Sequence, residues 1–262
     1  MTNARLYALP EFSLRAVAVW RRHLLVWRKL ALPSILGNLA DPLLMLFGLG
    51  YGLGAVIGNV DGTSYFAFLA GGFLASSTMY AATFESLYSA FSRMHVQRTW
   101  EAIVYAPMTL EDVLAGEWIW AATKSMAAGL CMLAVVTVFG YASWPMAIWA
   151  IAVVALIGLT FGALGLAINA LAWGYDFFSY YMTLVLTPMM MLSGVFFPVD
   201  KLPDAVQAAS QALPLYHGVA LVRPLLAGQV PEGALLHVAV LAAYALAGFY
   251  VATVLTRRRL MK

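Results

Sequence analysis

Charge is scarce in this chain. Asp, Glu, Lys and Arg make up 10% of its 262 residues and hydrophobic residues 63%, against about 25% and about 45–50% in ordinary soluble domains. The apolar residues fall in blocks of about twenty or more, longer than the runs that fill a water-soluble core. A water-soluble fold is thereby excluded, and a lipid bilayer is the solvent that fits. Cysteine is nearly absent: Cys131 is the single one and lies inside an apolar block, so one chain can build neither a disulfide framework nor a cysteine metal site. There is no G-x-x-x-x-G-K-[ST] phosphate loop and no H-E-x-x-H motif, so neither nucleotide hydrolysis nor metalloprotease chemistry is assigned to this chain. His23, His95, His217 and His237 are scattered, with no acid or nucleophile at a matching spacing.

The first positive feature is amphipathic. At about 100° per residue, Phe12, Ala16, Val19, Trp20, His23 and Trp27 share one face of a helix over 12–29, and Arg15, Arg21, Arg22, Arg28 and Lys29 occupy the other. Such a helix lies along a membrane surface; the alternative is a charged flank that only sets topology. A cleavable signal peptide would place an apolar stretch in the first ~30 residues, a region that here carries Arg5 and these other basic residues. The amino terminus is therefore expected to be retained and cytoplasmic.

Apolar stretches at 31–56, 64–90, 112–140, 144–172, 177–198 and 232–256 predict six membrane-spanning helices, each near or above the roughly 20 residues that cross hydrocarbon. Six spans put both termini on one side. The distribution of basic residues agrees: the amino-terminal segment, Arg93 and Arg98 in the 91–111 connection, and Arg257, Arg258, Arg259 and Lys262 in the tail fall on the same side, whereas the alternate loops hold Lys201 and Arg223.

Two connections are too long for simple turns. The inner one holds Arg98, Trp100, Glu101, Ile103, Val104 and Tyr105 before Pro107, and then Thr109 as a helix cap followed by Glu111 and Asp112. A short helix parallel to the membrane is expected there. The outer one carries Pro198, Pro203, Pro214, Pro224 and Pro231, spaced so that no piece between them crosses a bilayer unbroken. Its apolar stripe, Leu202, Val206, Ala209 and Leu213, and the apolar piece Tyr216 to Leu226 predict two half-helices dipping into the outer leaflet.

Ionisable residues within spans cost about 2.5–3.5 kcal/mol each at mid-membrane, so Asp41, Glu85, Glu117 and Lys124 are candidate functional groups. Glu117 and Lys124 stand seven apart, two turns along one face, and are expected to point together into a bundle or to a partner. For Asp41, Glu85 and Glu117 the competing reading is snorkelling near a cytoplasmic end. Gly48, Gly50, Gly52, Gly54 and Gly58, with Gly158, Gly162 and Gly165, offer small-residue faces that suit packing within one chain or between two. Trp144, Trp149 and Trp173 read as interfacial anchors.

The stretch Leu192-Ser193-Gly194-Val195-Phe196-Phe197-Pro198, then Leu202-Pro203 and Leu213-Pro214-Leu215, ending at Arg223-Pro224, resembles the carboxyl-terminal signature of the ABC-2 type permeases. Ser34-Ile35-Leu36-Gly37-Asn38-Leu39-Ala40-Asp41-Pro42, Phe47-Gly48-Leu49-Gly50, Arg98-Thr99-Trp100-Glu101 and Trp120-Ala121-Ala122-Thr123-Lys124 are similar to its nodulation-type branch, and the resemblance covers nearly the whole chain.

The resemblance implies an all-α integral membrane protein: an amino-terminal interface helix over 1–29, a six-span domain over 30–262, a coupling helix within 93–111 and a re-entrant hairpin over 199–228. It implies a homodimer in the bacterial inner membrane, both termini cytoplasmic, with two ATPase subunits docked below. ATP and Mg then belong to the partner, and no cofactor to this chain. Arg98, Trp100, Glu101, Trp20 and Arg22 are the expected coupling residues, with anionic lipid headgroups as an alternative contact for Arg98. The implied cargo is an amphiphilic lipo-chitooligosaccharide; other branches move drugs, polysaccharides or lipid-linked glycans. Phe196, Phe197, Tyr180 and Tyr181 are candidate cargo contacts, with core packing as the competing role. A proton-coupled carrier working through Lys124 or Glu117, or a membrane enzyme, are the readings from other classes; no nucleic-acid partner is expected.

Overall fold

The computed structural model describes residues 6–60, 62–104 and 107–260; Arg5, Tyr105 and Lys262 lie outside the described residues. The architecture is all-helical, apart from one two-residue hairpin that pairs Asn59–Val60 with Thr63–Ser64. Helix α1, Ala16–Trp27, runs through a tighter turn at Arg28–Leu30 into α2, Ala31–Gly52. Helix α3 begins at Tyr65 and stays helical to Val96, with π-helical turns at Glu85–Ser89 and Ser92–Val96. A short α4, Thr99–Val104, precedes α5, Leu110–Val138, and α6, Ala150–Leu171. Helices α7 (Tyr175–Tyr181) and α8 (Thr187–Leu192) are joined by another π turn, Met182–Leu186. Two short helices, α9 (Asp204–Gln211) and α10 (Pro214–Leu226), lead to α11, Ala234–Leu260.

Among the described residues, five helices are long and apolar enough to cross a membrane: Ala16–Ile57, Tyr65–Val96, Leu110–Val138, Met146–Leu171 and Ala234–Leu260. The fifth expected span, 177–198, is not among them. The chain there is helical from Tyr175 to Leu192, its apolar character diluted by Asp176, Ser179, Thr183 and Thr187, and it stops at Ser193 and Gly194. Gly194 has φ +78°, a left-handed geometry that ends a helix. The inner connection also begins later than expected: α3 continues through Arg93, so this residue belongs to a helix and not to a loop.

Local chemistry explains the boundaries. Thr109 and Asp112 form a reciprocal capping box, the Thr109 hydroxyl accepting from the Asp112 N–H at 3.2 Å and the Asp112 carboxylate accepting from the Thr109 N–H at 2.9 Å. The wide turn at Glu85–Ser89 disturbs the carbonyl ladder of α3, and Asn169 of α6 donates to the Ser86 and Leu87 carbonyls at 2.8 and 3.3 Å. Packing is closest where small residues meet. Gly158, Gly162 and Gly165 of α6 face Ser125, Ala121 and Ser86, so this glycine series serves contacts within the chain. Trp144, Trp149 and Trp173 are exposed, as interfacial side chains are.

Helix α1 packs on α5, burying Ala16, Val19 and His23. Gly116 makes the approach possible: a Cβ there would lie 2.5 Å from Val19 Cβ and 3.0 Å from the Ala16 carbonyl oxygen. Gly116→Ala is expected to destabilise the chain by about 1–3 kcal/mol through overpacking. The check is the thermal midpoint in detergent, with Val19→Ala in the same background restoring part of the loss; an unchanged midpoint for the single variant contradicts this packing.

The coupling junction as candidate functional site

The spans, α1 and α4 converge on one buried charge cluster. Glu117 of α5 is 1% exposed and Glu85 of α3 is 2% exposed. Arg93, two turns beyond Glu85, bridges them: Nε lies 2.8 Å from Glu117 Oε1 and Nη2 lies 2.8 Å from Glu85 Oε1. Lys124 Nζ reaches Glu85 Oε2 at 2.6 Å. Two indoles complete the shell, Trp120 Nε1 donating to Glu85 Oε1 at 2.8 Å and Trp100 Nε1 to Glu117 Oε1 at 2.9 Å. His23 of α1 brings Nε2 to 3.2 Å from Glu117 Oε1. Each carboxylate thus meets at least one cation and one neutral donor, the condition under which buried charge is tolerated.

This cluster ties α4 and α1 to the bundle. From α4, Trp100 is 2% exposed while Arg98 and Glu101 on the same short segment are exposed. Arg98 adopts φ +50° and its carbonyl receives the Ala102 N–H at 3.2 Å, starting the helix. From α1, Trp20 Nε1 donates to Thr123 Oγ1 at 3.0 Å and Trp27 packs edge-on against Trp120, centroids 6.0 Å apart. The end of α11 holds the segment ahead of α1: Arg257 Nη1 donates to the Ala8 carbonyl at 2.6 Å and Nε to Glu111 at 2.8 Å, and Tyr250 donates to the Tyr7 carbonyl at 3.0 Å. Phe12 stacks on Phe249 and Phe249 on Trp118. Arg259 donates to the Asn169 and Ala170 carbonyls at the end of α6, at 3.1 and 3.0 Å, where a cation complements the helix dipole. The tail arginines therefore contribute specific contacts in addition to the charge balance seen in the sequence.

Of the coupling residues expected from sequence, Arg98, Glu101 and Arg22 are exposed, whereas Trp100 points inward and Trp20 is half-buried with its N–H used within the chain. Glu117 and Lys124 do share a face of α5, but each takes its nearest opposite charge from α3. Asp41 is apart from the cluster, exposed on α2 beside a cleft lined by Gly37, Ser77, Tyr80 and Met182. The four aromatic candidates for cargo contact lie at two places along the chain. Tyr180 and Tyr181 sit near the start of the 175–192 helix, and the remaining helix, residues 181–192, is about 18 Å long at 1.5 Å per residue. Phe196 lies beyond it, packed edge-on against Phe73 with centroids 5.7 Å apart. The chain also pairs two histidines that sequence left scattered, His217 Nδ1 and His237 Nδ1 at 2.7 Å, although no group of three metal-ligating side chains occurs among the described residues.

Comparison with known proteins places this geometry in context. The family profile described as ABC-2 type transporter matches residues 15–226. Nodulation protein J of Rhizobium leguminosarum bv. viciae is 52% identical over 254 residues, 97% of this chain and 98% of that one. Nodulation protein J of Rhizobium meliloti (strain 1021) is 49% identical over 254 residues, 97% of both chains. The inner membrane transport permease YadH of Escherichia coli (strain K12) is 24% identical over 203 residues, 76% of this chain and 78% of that one.

Proposed function

Because the chain belongs to the ABC-2 type transporter family, we propose that it is the membrane-spanning permease of an exporter that moves a lipo-chitooligosaccharide-like amphiphile out across the bacterial inner membrane. The observation that carries this reading is the near full-length relation to proteins called nodulation protein J. The transport subunit itself is not an enzyme. ATP and Mg are held by a separate ATPase, two copies of which dock beneath a homodimer of this chain, and membrane lipids surround the pair; nucleic acid has no part. The topology is six-span, with the 175–192 helix as the fifth crossing, both termini in the cytoplasm, and the α9–α10 hairpin dipping into the outer leaflet.

The coupling step follows from the junction. Arg98 and Glu101 present opposite charges to the ATPase, while Trp100 behind them grips Glu117. Movement of α4 is transmitted through Glu117 and Arg93 to α5 and α3, and through His23 to α1. A carrier reading is less well supported, since Glu85, Glu117 and Lys124 are held in ion pairs.

The test is ATPase activity of the complex reconstituted with its ATPase. Added lipo-chitooligosaccharide is expected to raise turnover several-fold, and the deacylated oligosaccharide to do so weakly. A stable complex indifferent to both would remove this cargo and point to another amphiphile; failure of any ATPase to associate would remove the exporter reading itself.

A further inference from the structure

Beside the charge cluster a cavity of about 250 Å³ lies between α1, α3 and α5. Arg22, Trp27, Arg93, Gln97 and Lys124 line it together with the Glu85 carboxylate, with Val26 and Leu30 at its apolar edge. The charges do not cancel. Glu85 and Glu117 are matched by Arg93 and Lys124, which leaves the Arg22 guanidinium, with no carboxylate in ion-pair range among the described residues, as an excess positive charge at the mouth. The Trp27 Nε1 is buried and has no hydrogen-bond partner among the described residues, and Gln97 and Lys124 add N–H donors. Donors of this kind around one net positive charge suit a singly charged anion with several acceptor oxygens.

The surroundings select among such anions. Val26 and Leu30, 58% and 62% exposed, follow Arg22 at four-residue steps and form an apolar column along the cavity's edge. A free inorganic anion gains nothing from that apolar column, whereas a molecule with a charged head and hydrocarbon tails uses both. Basic pockets between membrane helices on the cytoplasmic side are the setting in which anionic lipid headgroups bind.

We propose that the cavity binds the phosphodiester of an anionic glycerophospholipid, with Arg22 and Trp27 as headgroup ligands and the acyl chains leaving over Val26 and Leu30. The lipid bridges α1 to the elements carrying Lys124 and Gln97, and so fastens α1 to the junction. A ligand that binds only this assembled arrangement raises its stability in proportion to its concentration.

The experiment uses the purified full-length chain in nonionic detergent, with native mass spectrometry and thermal unfolding as readouts. Phosphatidylglycerol, phosphatidylcholine and inorganic phosphate are the probes. Phosphatidylglycerol is expected to be retained at one per chain and to raise the midpoint, phosphatidylcholine to do so at least about tenfold more weakly, the equivalent of one charge-assisted contact, and phosphate not at all. Arg22→Gln is expected to weaken phosphatidylglycerol retention about tenfold. Trp27→Phe, which keeps the ring against Trp120 but removes the N–H, is expected to weaken it less, and Arg28→Gln, outside the cavity lining, to leave it unchanged. Equal retention of the two lipids overturns the proposal, as does wild-type retention by both Arg22→Gln and Trp27→Phe. A midpoint shift reproduced by phosphate alone replaces the lipid with a free anion and overturns it too. The two-lipid comparison on the unmodified chain decides the matter even where a variant does not fold.

Discussion

Glu117→Ala is expected to destabilise the chain by about 3–5 kcal/mol, the usual cost of removing one partner from a buried ion pair. The carboxylate is 1% exposed and receives Arg93 and the Trp100 indole, with His23 close by. Without it, Arg93 and Lys124 share Glu85 alone, so two cations face one carboxylate in an apolar bundle. The fraction recovered as a monodisperse species and its thermal midpoint should both fall sharply. Glu117→Gln should fall less, because its amide oxygen still accepts from Trp100 while its NH2 opposes Arg93. Pairing Glu117→Gln with Arg93→Met leaves the Glu85–Lys124 pair balanced and should recover more than half of the loss. A midpoint for Glu117→Ala equal to the parent's would show that the cluster is not a stabilising unit.

Much of this junction could be read from the sequence because it rests on local periodicity. The inward face of α1 follows from Ala16, Val19, Trp20, His23 and Trp27 at helical spacing, and the start of α5 from Thr109 with Asp112 three residues on. The end of the 175–192 helix was equally marked, by Ser193-Gly194, a turn signal overridden in the reading by the apolar run to Phe197. Partner choice was not legible. Glu85 and Arg93 are eight apart, which a regular α-helix turns roughly 80° from one another; the wider turns at 85–89 and 92–96 alter that register, and no propensity announces them. The pairings of Glu117 with Arg93 and of Lys124 with Glu85 arise between helices, where spacing along one chain carries no information. The inward packing of Trp100 and Trp20 was not legible for a similar reason: an amphipathic segment shows which residues share a face, but only its packing shows whether that face meets a partner or the chain itself.

Trp100→Phe should separate ATP hydrolysis from transport. Helix α4, Thr99–Val104, has six residues, far too few to be stable in isolation, so its position depends on what it grips. The ring of Trp100 is buried in the core formed with Leu87, Leu114 and Phe178, and its N–H is bonded to Glu117 at 2.9 Å. Phenylalanine preserves most of the burial and removes the bond, which to a charged acceptor is worth about 1.5–3 kcal/mol. That leaves a folded chain whose exposed Arg98 and Glu101 still dock the ATPase under the proposed mechanism, but whose short helix yields under load instead of moving Glu117. In proteoliposomes, ATPase turnover is expected to stay within about twofold of the parent while lipo-chitooligosaccharide moved per ATP drops about tenfold, one factor of ten per ~1.4 kcal/mol lost from the linkage. Arg98→Ala, acting at the docking surface, should instead lower both rates together. Equal losses of hydrolysis and transport for Trp100→Phe would assign Trp100 a purely structural role, and unchanged values for both would move the transmission of force to α1, where His23 and Trp27 are the remaining contacts with the cluster.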